Sequence, residues 1–326
     1  MSVIFSKILV VFAMIAIGYL CCKTKLLPFE ANDYLIKLLL NVTSPCILIT
    51  SITNNELTPD TLAATIQVLV GTFVYYGAGF LVACGIVKLL RVPKEDFGLY
   101  TFFLTANNTG FMGFPVAKAA FGNQGLYYMV LSNIALSIYS YTVGIVQVGI
   151  GGSDSQNGAG SVKESRGRRN WKQTFRPMLN MCSGAAVLGT VMLFAGIKLP
   201  DFLNNLLTPI GDVTIPVSML ILGIQLAASD IPRIILKKKL VLISIIGQTI
   251  WPALTFLAVN WLPLYDIAKL TIIYASAFPT MVMIVAIANS AEKNTQLAAE
   301  GVALTTLFSV VTLPIATVLL SGYYGI

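Results

Sequence analysis

Long stretches without a single Asp, Glu, Lys or Arg most strongly limit what this chain can fold into. They cover residues 8–22, 38–55, 61–87, 97–117, 119–153, 177–197, 213–229, 240–265, 270–291 and 301–326. A helix needs about 20 apolar residues to cross the bilayer core. With 56% apolar and only 11% charged residues, the chain has too few charges to cover a soluble surface. The sequence therefore predicts an all-α membrane protein with ten transmembrane helices.

Two of these windows need comment. The first could be the core of a signal peptide, but Lys23 and Lys25 follow it instead of preceding it. We therefore predict that it is a retained helix. The seventh window is short, and we expect its helix to begin near Phe202, which places Asp212 inside the span.

The residues that are missing exclude several functional classes. The chain has no histidine, and its five cysteines show no CxxC spacing. No GxSxG nucleophile motif is present either. This composition argues against histidine-dependent hydrolases, metalloproteases, zinc sites and disulfide frameworks. The net charge of +7 comes from short clusters between apolar windows, unlike a nucleic-acid-binding face. We predict no enzyme activity, no cofactor, no metal and no nucleic-acid partner.

The distribution of basic residues predicts the orientation in the membrane. If the N-terminus lies outside, 17 of the 21 Lys and Arg residues fall on cytoplasmic connections. We therefore predict a multi-pass protein of the cell membrane with both termini outside the cytoplasm. The Gly-, Ser- and charge-rich stretch 151–176 is predicted to be a cytoplasmic linker between domains 1–150 and 177–326. Its basic residues set topology or contact anionic lipid.

A repeated motif relates the two halves. "NVTSP" begins at Asn41 in the second window, and "DVTIP" begins at Asp212, 171 positions later, in the second window of the other half. The fourth windows also correspond, with "GFP" ending at Pro115 and "AFP" at Pro279. Since five spans is an odd number, the second half enters the membrane inverted. An inverted repeat of two five-helix units is typical of transporters.

The fourth span contains the most unusual composition. "TANNTGFMGFP" places two amides, two glycines and a proline in the middle of an apolar window. Such a segment is a poor lipid-facing helix but suits a broken helix that lines a cavity. If the fourth and ninth spans break near Pro115 and Pro279 and cross, the N-termini of two half-helices meet. Their positive ends would bind an anion without a buried lysine or arginine.

The motifs in the second spans have a structural and a functional interpretation. Asn41 lies inside a span, so its glycosylation sequon is not expected to be used. Thr43 and Thr214 are placed to support the carbonyls that Pro45 and Pro216 leave without donors. These motifs either produce kinks for packing or contact substrate.

The chain resembles the auxin efflux carrier family, which includes plant auxin carriers and bacterial transporters of malate- and malonate-like acids. The resemblance rests on "NNTGFMGFPVAKAAFG" at 107–122, on "GDVTIPVSMLILGIQLA", "SAFPTM" and "TLPIATVLL", and it runs almost end to end. It implies a fold like that of bile acid symporters and sodium/proton antiporters. Spans 1, 2, 6 and 7 would form a scaffold, and spans 3–5 and 8–10 a moving transport domain of an elevator-type carrier. The linker is shorter than the long loop of the plant members.

The resemblance also places an organic carboxylate beside the Asn-Thr pair, hence on Asn108. An amide donates to a carboxylate without the desolvation cost of a buried cation. The alternative is that these polar groups only satisfy the backbone of a broken helix. The candidate substrate-binding residues are Asn107, Asn108, Thr109, Gly110, Gly113, Pro115, Pro279 and Thr280.

Charged residues near the spans leave the coupling open. Asp212 is a candidate proton carrier or cation partner unless it lies at the interface. Lys118 is expected to reach the outer surface, and Glu292 and Glu300 to be solvated. Because no acid lies in either broken stretch, we expect uniport or proton coupling, with a sodium-coupled symporter as the alternative. A carboxylate receptor is a further alternative, and a homodimer is left open.

Overall fold

The computed structural model describes residues 2–150 and 181–325, and these residues are helical apart from turns and one isolated bridge. The α-helices are α1 (Ser2–Lys23), α2 (Ala31–Leu38), α3 (Ser44–Thr53), α4 (Pro59–Leu89), α5 (Phe97–Thr105), α6 (Phe114–Tyr139), α7 (Ile145–Gly149), α8 (Met181–Phe194), α9 (Asp201–Asp212), α10 (Thr214–Ala228), α11 (Ile231–Ile235), α12 (Lys238–Ile245), α13 (Trp251–Asn260), α14 (Asp266–Ala277), α15 (Ile284–Ser290) and α16 (Thr295–Tyr324). Four π-helical turns cover Leu39–Thr43, Thr109–Gly113, Ser140–Gly144 and Ile246–Ile250.

Several helical stretches are long enough to cross a membrane. Seven within the described ranges are also sufficiently apolar. They are Phe5–Lys23, Ala31–Thr53, Pro59–Leu89, Thr109–Gly149, Asp201–Ala228, Lys238–Asn260 and Thr295–Tyr324. The described residues are thus helical as predicted and include seven stretches suited to a membrane, whereas ten spans and the inverted repeat stay predictions. The predicted linker 151–176 lies outside the described residues.

Three π turns each precede a proline by two positions. They are followed by Pro45, Pro115 and Pro252, which lie in the first turns of α3, α6 and α13. A proline in an α-helix loses one hydrogen bond and clashes with the carbonyl four residues earlier. A π turn shifts the bonding to five residues and moves that carbonyl away. The helices therefore continue past these prolines, with a wide π turn before each of them.

Both predicted broken helices are interrupted, but the first break lies elsewhere than predicted. Helix α5 ends at Thr105, and the chain is non-helical over residues 106–108, here called the first crossover segment. Helix α14 ends at Ala277, and residues 278–283 form the second crossover segment. Pro279 lies in its segment, because the proline ends α14. Pro115, predicted at the crossing, instead lies seven residues after Asn108, because the π turn accommodates it within the helix.

Glycines permit close backbone contacts within two sets of helices. In the first helix group, which comprises α1–α3 and α8–α10, a Cβ on Gly223 would lie 2.1 Å from Ile15 O. A Cβ on Gly211 would lie 2.8 Å from Ile47 N in the same group.

The second helix group comprises α4–α7 and α12–α16. A Cβ on Gly98 would lie 2.2 Å from Gln147 O, and one on Gly301 would lie 2.4 Å from the Phe103 ring. These contacts join helices within one group, so each group packs as a unit.

Candidate functional site

The two crossover segments pair with each other through their backbones. Asn107 and Thr280 form an isolated antiparallel bridge. Asn108 N donates to Pro279 O at 2.6 Å, and Met281 N donates to Ala106 O at 2.9 Å. Two interrupted helices therefore meet at one point, and each supplies partners for backbone groups that the other exposes.

Side chains at the crossing satisfy the carbonyls at the ends of both interrupted helices. Asn107 Nδ2 donates to Phe278 O at 2.8 Å and to Ser276 O at 3.2 Å. Thr280 Oγ1 donates in return to Phe103 O at 3.0 Å. The last carbonyls of a helix have no partner within the helix, and apolar surroundings supply none. Asn107 and Thr280 therefore have a reciprocal structural role.

Aromatic side chains of the second helix group hold Asn107 in place. Tyr75 OH donates to Asn107 Oδ1 at 2.9 Å, and Trp251 Nε1 donates to Tyr75 OH at 2.7 Å. Both ends of the Asn107 amide are consequently occupied. The side chain of Asn107 is therefore held by the protein itself.

Only the oxygen of the Asn108 side-chain amide has a hydrogen-bond partner among the described residues. Its Oδ1 accepts from Phe111 N at 3.1 Å and caps the helix that begins with the π turn Thr109–Gly113. Its Nδ2 is buried and has no hydrogen-bond partner among the described residues. The whole residue is only 2% exposed. An unsatisfied buried donor costs about 1–3 kcal/mol. Asn108 therefore presents a donor that a bound acceptor would satisfy.

Asn108 lies in the wall of a cavity of about 740 Å³. Residues from α3, α4, α6 and α8 line the cavity, together with Asn108, Gly110 and Phe111 at the start of the first half-helix and Met281–Met283 of the second crossover segment. Most of the lining is apolar, and no described lining residue is an Asp, Glu, Lys or Arg. The cavity therefore combines apolar walls with neutral polar groups beside the N-terminus of the half-helix that begins at Thr109.

Asn133 is a cavity residue that the sequence analysis did not identify. It lies on α6, and its Oδ1 accepts from Thr109 Oγ1 at 2.9 Å. A Cβ on Gly110 would lie 3.2 Å from Asn133 Oδ1, so glycine leaves room for this amide. The signal was present, since Asn133 is an amide in the middle of an uncharged window.

The predicted substrate-binding residues thus divide into two sets. Asn108 and Gly110 line the cavity. Thr109 orients Asn133, while Gly113 packs against Met129 and the Phe278 ring. The residues that lie outside the cavity lining are Asn107, Thr109, Gly113, Pro115, Pro279 and Thr280.

The motif in the second window contributes differently from the prediction. Asn41 lines the cavity, with its Nδ2 donating to Lys37 O at 2.8 Å. Thr43 makes only a long 3.5 Å contact with Leu39 O. The carbonyl of Leu40, five residues before Pro45, accepts instead from Cys182 Sγ at 3.1 Å. A neighbouring helix therefore supplies the partner expected from a threonine.

Thr214 also departs from its predicted role, because its Oγ1 is buried and lacks a partner among the described residues. Asp212 lies outside the cavity lining and forms an ion pair with Lys118. Lys118 was expected to extend to the surface alone. Glu300 was expected to be solvated, but it is buried and pairs with Lys237 at 2.5 Å, because the Lys237 loop covers the first turns of α16.

Comparisons with known proteins identify the family of the chain. A family model described as membrane transport protein matches residues 3–317. An uncharacterized transporter, MJ1031, of Methanocaldococcus jannaschii is 22% identical over 228 residues, which is 69% of each chain. No group of three or more Cys, Asp or Glu that could hold a metal ion occurs in ranges 2–150 and 181–325. The chain therefore belongs to the membrane transport protein family, the family of the auxin efflux carriers, and is an integral multi-pass membrane protein.

Proposed function

We propose that this protein is a secondary transporter of a small organic carboxylate and that the anion binds at Asn108. Asn108 lines the cavity, and its buried Nδ2 has no hydrogen-bond partner among the described residues; this observation carries the proposal. A carboxylate oxygen is an acceptor that would satisfy this donor, and a charge-assisted hydrogen bond is about twice as strong as a neutral one. The cavity volume falls within the range of small-molecule sites.

The electrostatics of the crossing support an anion over a cation. The cavity wall contains the N-terminal turn of the long helix that starts at Thr109. This end carries about half a positive charge. The C-terminal ends of α5 and α14, which carry the opposite partial charge, are absent from the described lining. Of the helix ends at the crossing, an anion in the cavity would therefore face the positive end that begins at Thr109.

The proposed architecture has ten membrane passes in two inverted units. The first unit would comprise α1, α2–α3, α4, α5 with the first half of α6, and the second half of α6 with α7. The second would comprise α8, α9–α10, α12–α13, α14–α15 and α16. Gly122, with φ at 67°, divides α6 into its two passes. The two units would then meet at the crossover segments, where Asn107 pairs with Thr280.

The proposed mechanism moves the second helix group relative to the first. The close glycine contacts within each group favour two rigid bodies. The cavity lies between them, since α3 and α8 belong to the first group while Asn108 and Asn133 belong to the second. Sliding of one body past the other would expose the bound anion to each side of the membrane in turn. This is an elevator-type mechanism.

The proposed transport is uniport or proton-coupled. A site without an acidic lining residue has no carboxylate to hold a sodium ion, so sodium-coupled symport would require backbone carbonyls alone. A carboxylate receptor would bind the same anion without moving it. Uptake into proteoliposomes distinguishes these possibilities: transport without a sodium gradient supports the proposal, while binding without uptake supports a receptor.

The sharpest test of the site is Asn108→Asp. This change keeps the oxygen that caps Phe111 N but replaces the free donor with a negatively charged acceptor. We expect uptake of radiolabelled mono- and dicarboxylates to fall by at least about tenfold, because losing a charge-assisted bond costs about 1.5–3 kcal/mol. The melting temperature in detergent shows whether the variant is folded, since a buried carboxylate also lowers stability.

Two matched measurements complete this test. Carboxylates that raise the melting temperature of the wild type should no longer raise that of Asn108→Asp. Asn205→Asp changes an exposed amide on α9 and should leave uptake unaltered. Normal uptake by Asn108→Asp would remove Asn108 from the site.

A further inference from the structure

One ion pair connects the two helix groups. Lys118 on α6 belongs to the second group, and Asp212 at the end of α9 belongs to the first. The other ion pairs among the described residues stay within one group: Lys237 with Glu300 and Lys269 with Asp266 in the second, and Lys198 with Glu56 in the first. The Lys118–Asp212 pair therefore joins elements that the proposed mechanism would move apart.

Both ends of this pair are attached to firmly packed backbone. Asp212 follows Gly211, where α9 contacts the Ile47 backbone so closely that a Cβ would lie 2.8 Å from Ile47 N. Lys118 lies nine residues after Thr109, on the same half-helix that carries the cavity residues Asn108 and Gly110. A displacement of this half-helix relative to α9 would therefore change the distance between the two charges.

The surroundings allow the pair to open. The Lys118 side chain is 26% exposed and that of Asp212 is 49% exposed, so the protein does not fully enclose either charge. A fully buried pair would leave uncompensated charges after separation and would oppose movement much more strongly. A partly exposed pair contributes a modest, reversible attraction.

We propose that Lys118 and Asp212 form a latch that is closed in this conformation and open in the other. The latch rests on the proposed function, because it requires two bodies that alternate between positions. It biases the equilibrium towards the conformation described here without touching the transported anion. Asp212 then acts as the fixed partner of a moving lysine.

Spin-label distance measurements on the full chain in lipid nanodiscs test the latch. Labels at Asn123→Cys on α6 and Asn205→Cys on α9 report the separation of the groups, in a background with the five cysteines changed to serine. We expect Lys118→Gln and Asp212→Asn to enlarge the population at a second distance by about two- to fivefold, as expected for a surface ion pair. The exchange Lys118→Asp with Asp212→Lys should restore the original distribution.

Lys198→Gln is the control, because Lys198 pairs with Glu56 at 3.2 Å and both side chains are highly exposed. It should not alter the distances. Single variants whose distributions coincide with that of the wild type would overturn the latch, provided that their melting temperatures show folded protein. Failure of the proposed function would look different: the wild type would take up no carboxylate, whatever the labels report.

Discussion

Two neighbouring asparagines at the crossing use the same functional group in opposite ways. Both polar atoms of the Asn107 side-chain amide are bonded within the protein, whereas Asn108 has a buried donor without a partner in ranges 2–150 and 181–325. The sequence places both in one motif and offers no means to separate them. Their roles depend on which carbonyls the partner segment brings within reach, and that is a tertiary property.

Asp96, in the short turn Lys94–Asp96 that precedes α5, supplies a residue-scale prediction. Burial raises the pKa of its carboxyl, and Glu95 adds to the effect. The pKa in the folded state therefore exceeds that in the unfolded state, so ionisation opposes folding. Stability should fall as the pH rises from about 4, the unfolded value, through the raised folded value.

Asp96→Asn should remove this fall and be more stable than the wild type at neutral pH. Melting temperatures of both proteins across that pH range test the difference. Parallel curves for the two proteins would show that the Asp96 carboxyl is not responsible.

At the scale of secondary-structure elements, each of the two interrupted helices supplies hydrogen-bond partners to the other at the crossing. The interruption of the fourth and ninth spans could be predicted, because glycine, proline and amides do not form a stable helix in lipid. The position of the first break could not be predicted. A proline such as Pro115 ends a helix only when no π turn before it removes the clash with the preceding carbonyl. Sequence alone does not reveal the π turn at Thr109–Gly113.

Asn107→Ala tests whether this support stabilises the fold. The variant leaves Ser276 O without its donor and weakens the bonding of Phe278 O. We expect a loss of about 2–4 kcal/mol in the free energy of unfolding, because each unsatisfied buried group costs about 1–3 kcal/mol. Thermal unfolding in detergent, with Asn205→Ala as an exposed control, measures the effect. Equal melting temperatures for wild type and Asn107→Ala would contradict the assigned role.

For the whole molecule, the division into two helix groups follows from where backbones approach each other closely. The resemblance implied a scaffold and a transport domain, but the sequence does not identify which glycines join which helices. Gly223 and Gly184 look alike in the printed chain. Only the first meets a neighbouring backbone.

Gly223→Ala should therefore destabilise the first helix group. Its added methyl would lie 2.1 Å from Ile15 O, and overpacking of this kind costs about 1–3 kcal/mol. Gly184→Ala, with nothing within 4 Å, should be neutral or more stable by about 0.5–1 kcal/mol. Urea or thermal unfolding of both variants compares them directly. The reverse order of stabilities would refute the packing explanation.

The charge distribution predicts the orientation of the whole chain. Epitope tags at residue 1 and residue 326 should both bind antibody on intact cells, because the basic residues lie on the connections predicted to be cytoplasmic. A tag inserted near residue 160 should bind only after permeabilisation. Cytoplasmic detection of either terminal tag would rule out ten spans in this orientation.

The wide turn at Thr109–Gly113 has a geometric consequence for the half-helix that follows it. A π turn contains one residue more than an α turn, so it rotates all later side chains by about 100° around the helix axis. Deleting one residue from this turn would rotate the Lys118 side chain around the helix axis, away from α9. One extra residue in the turn therefore determines which direction each face of this half-helix points.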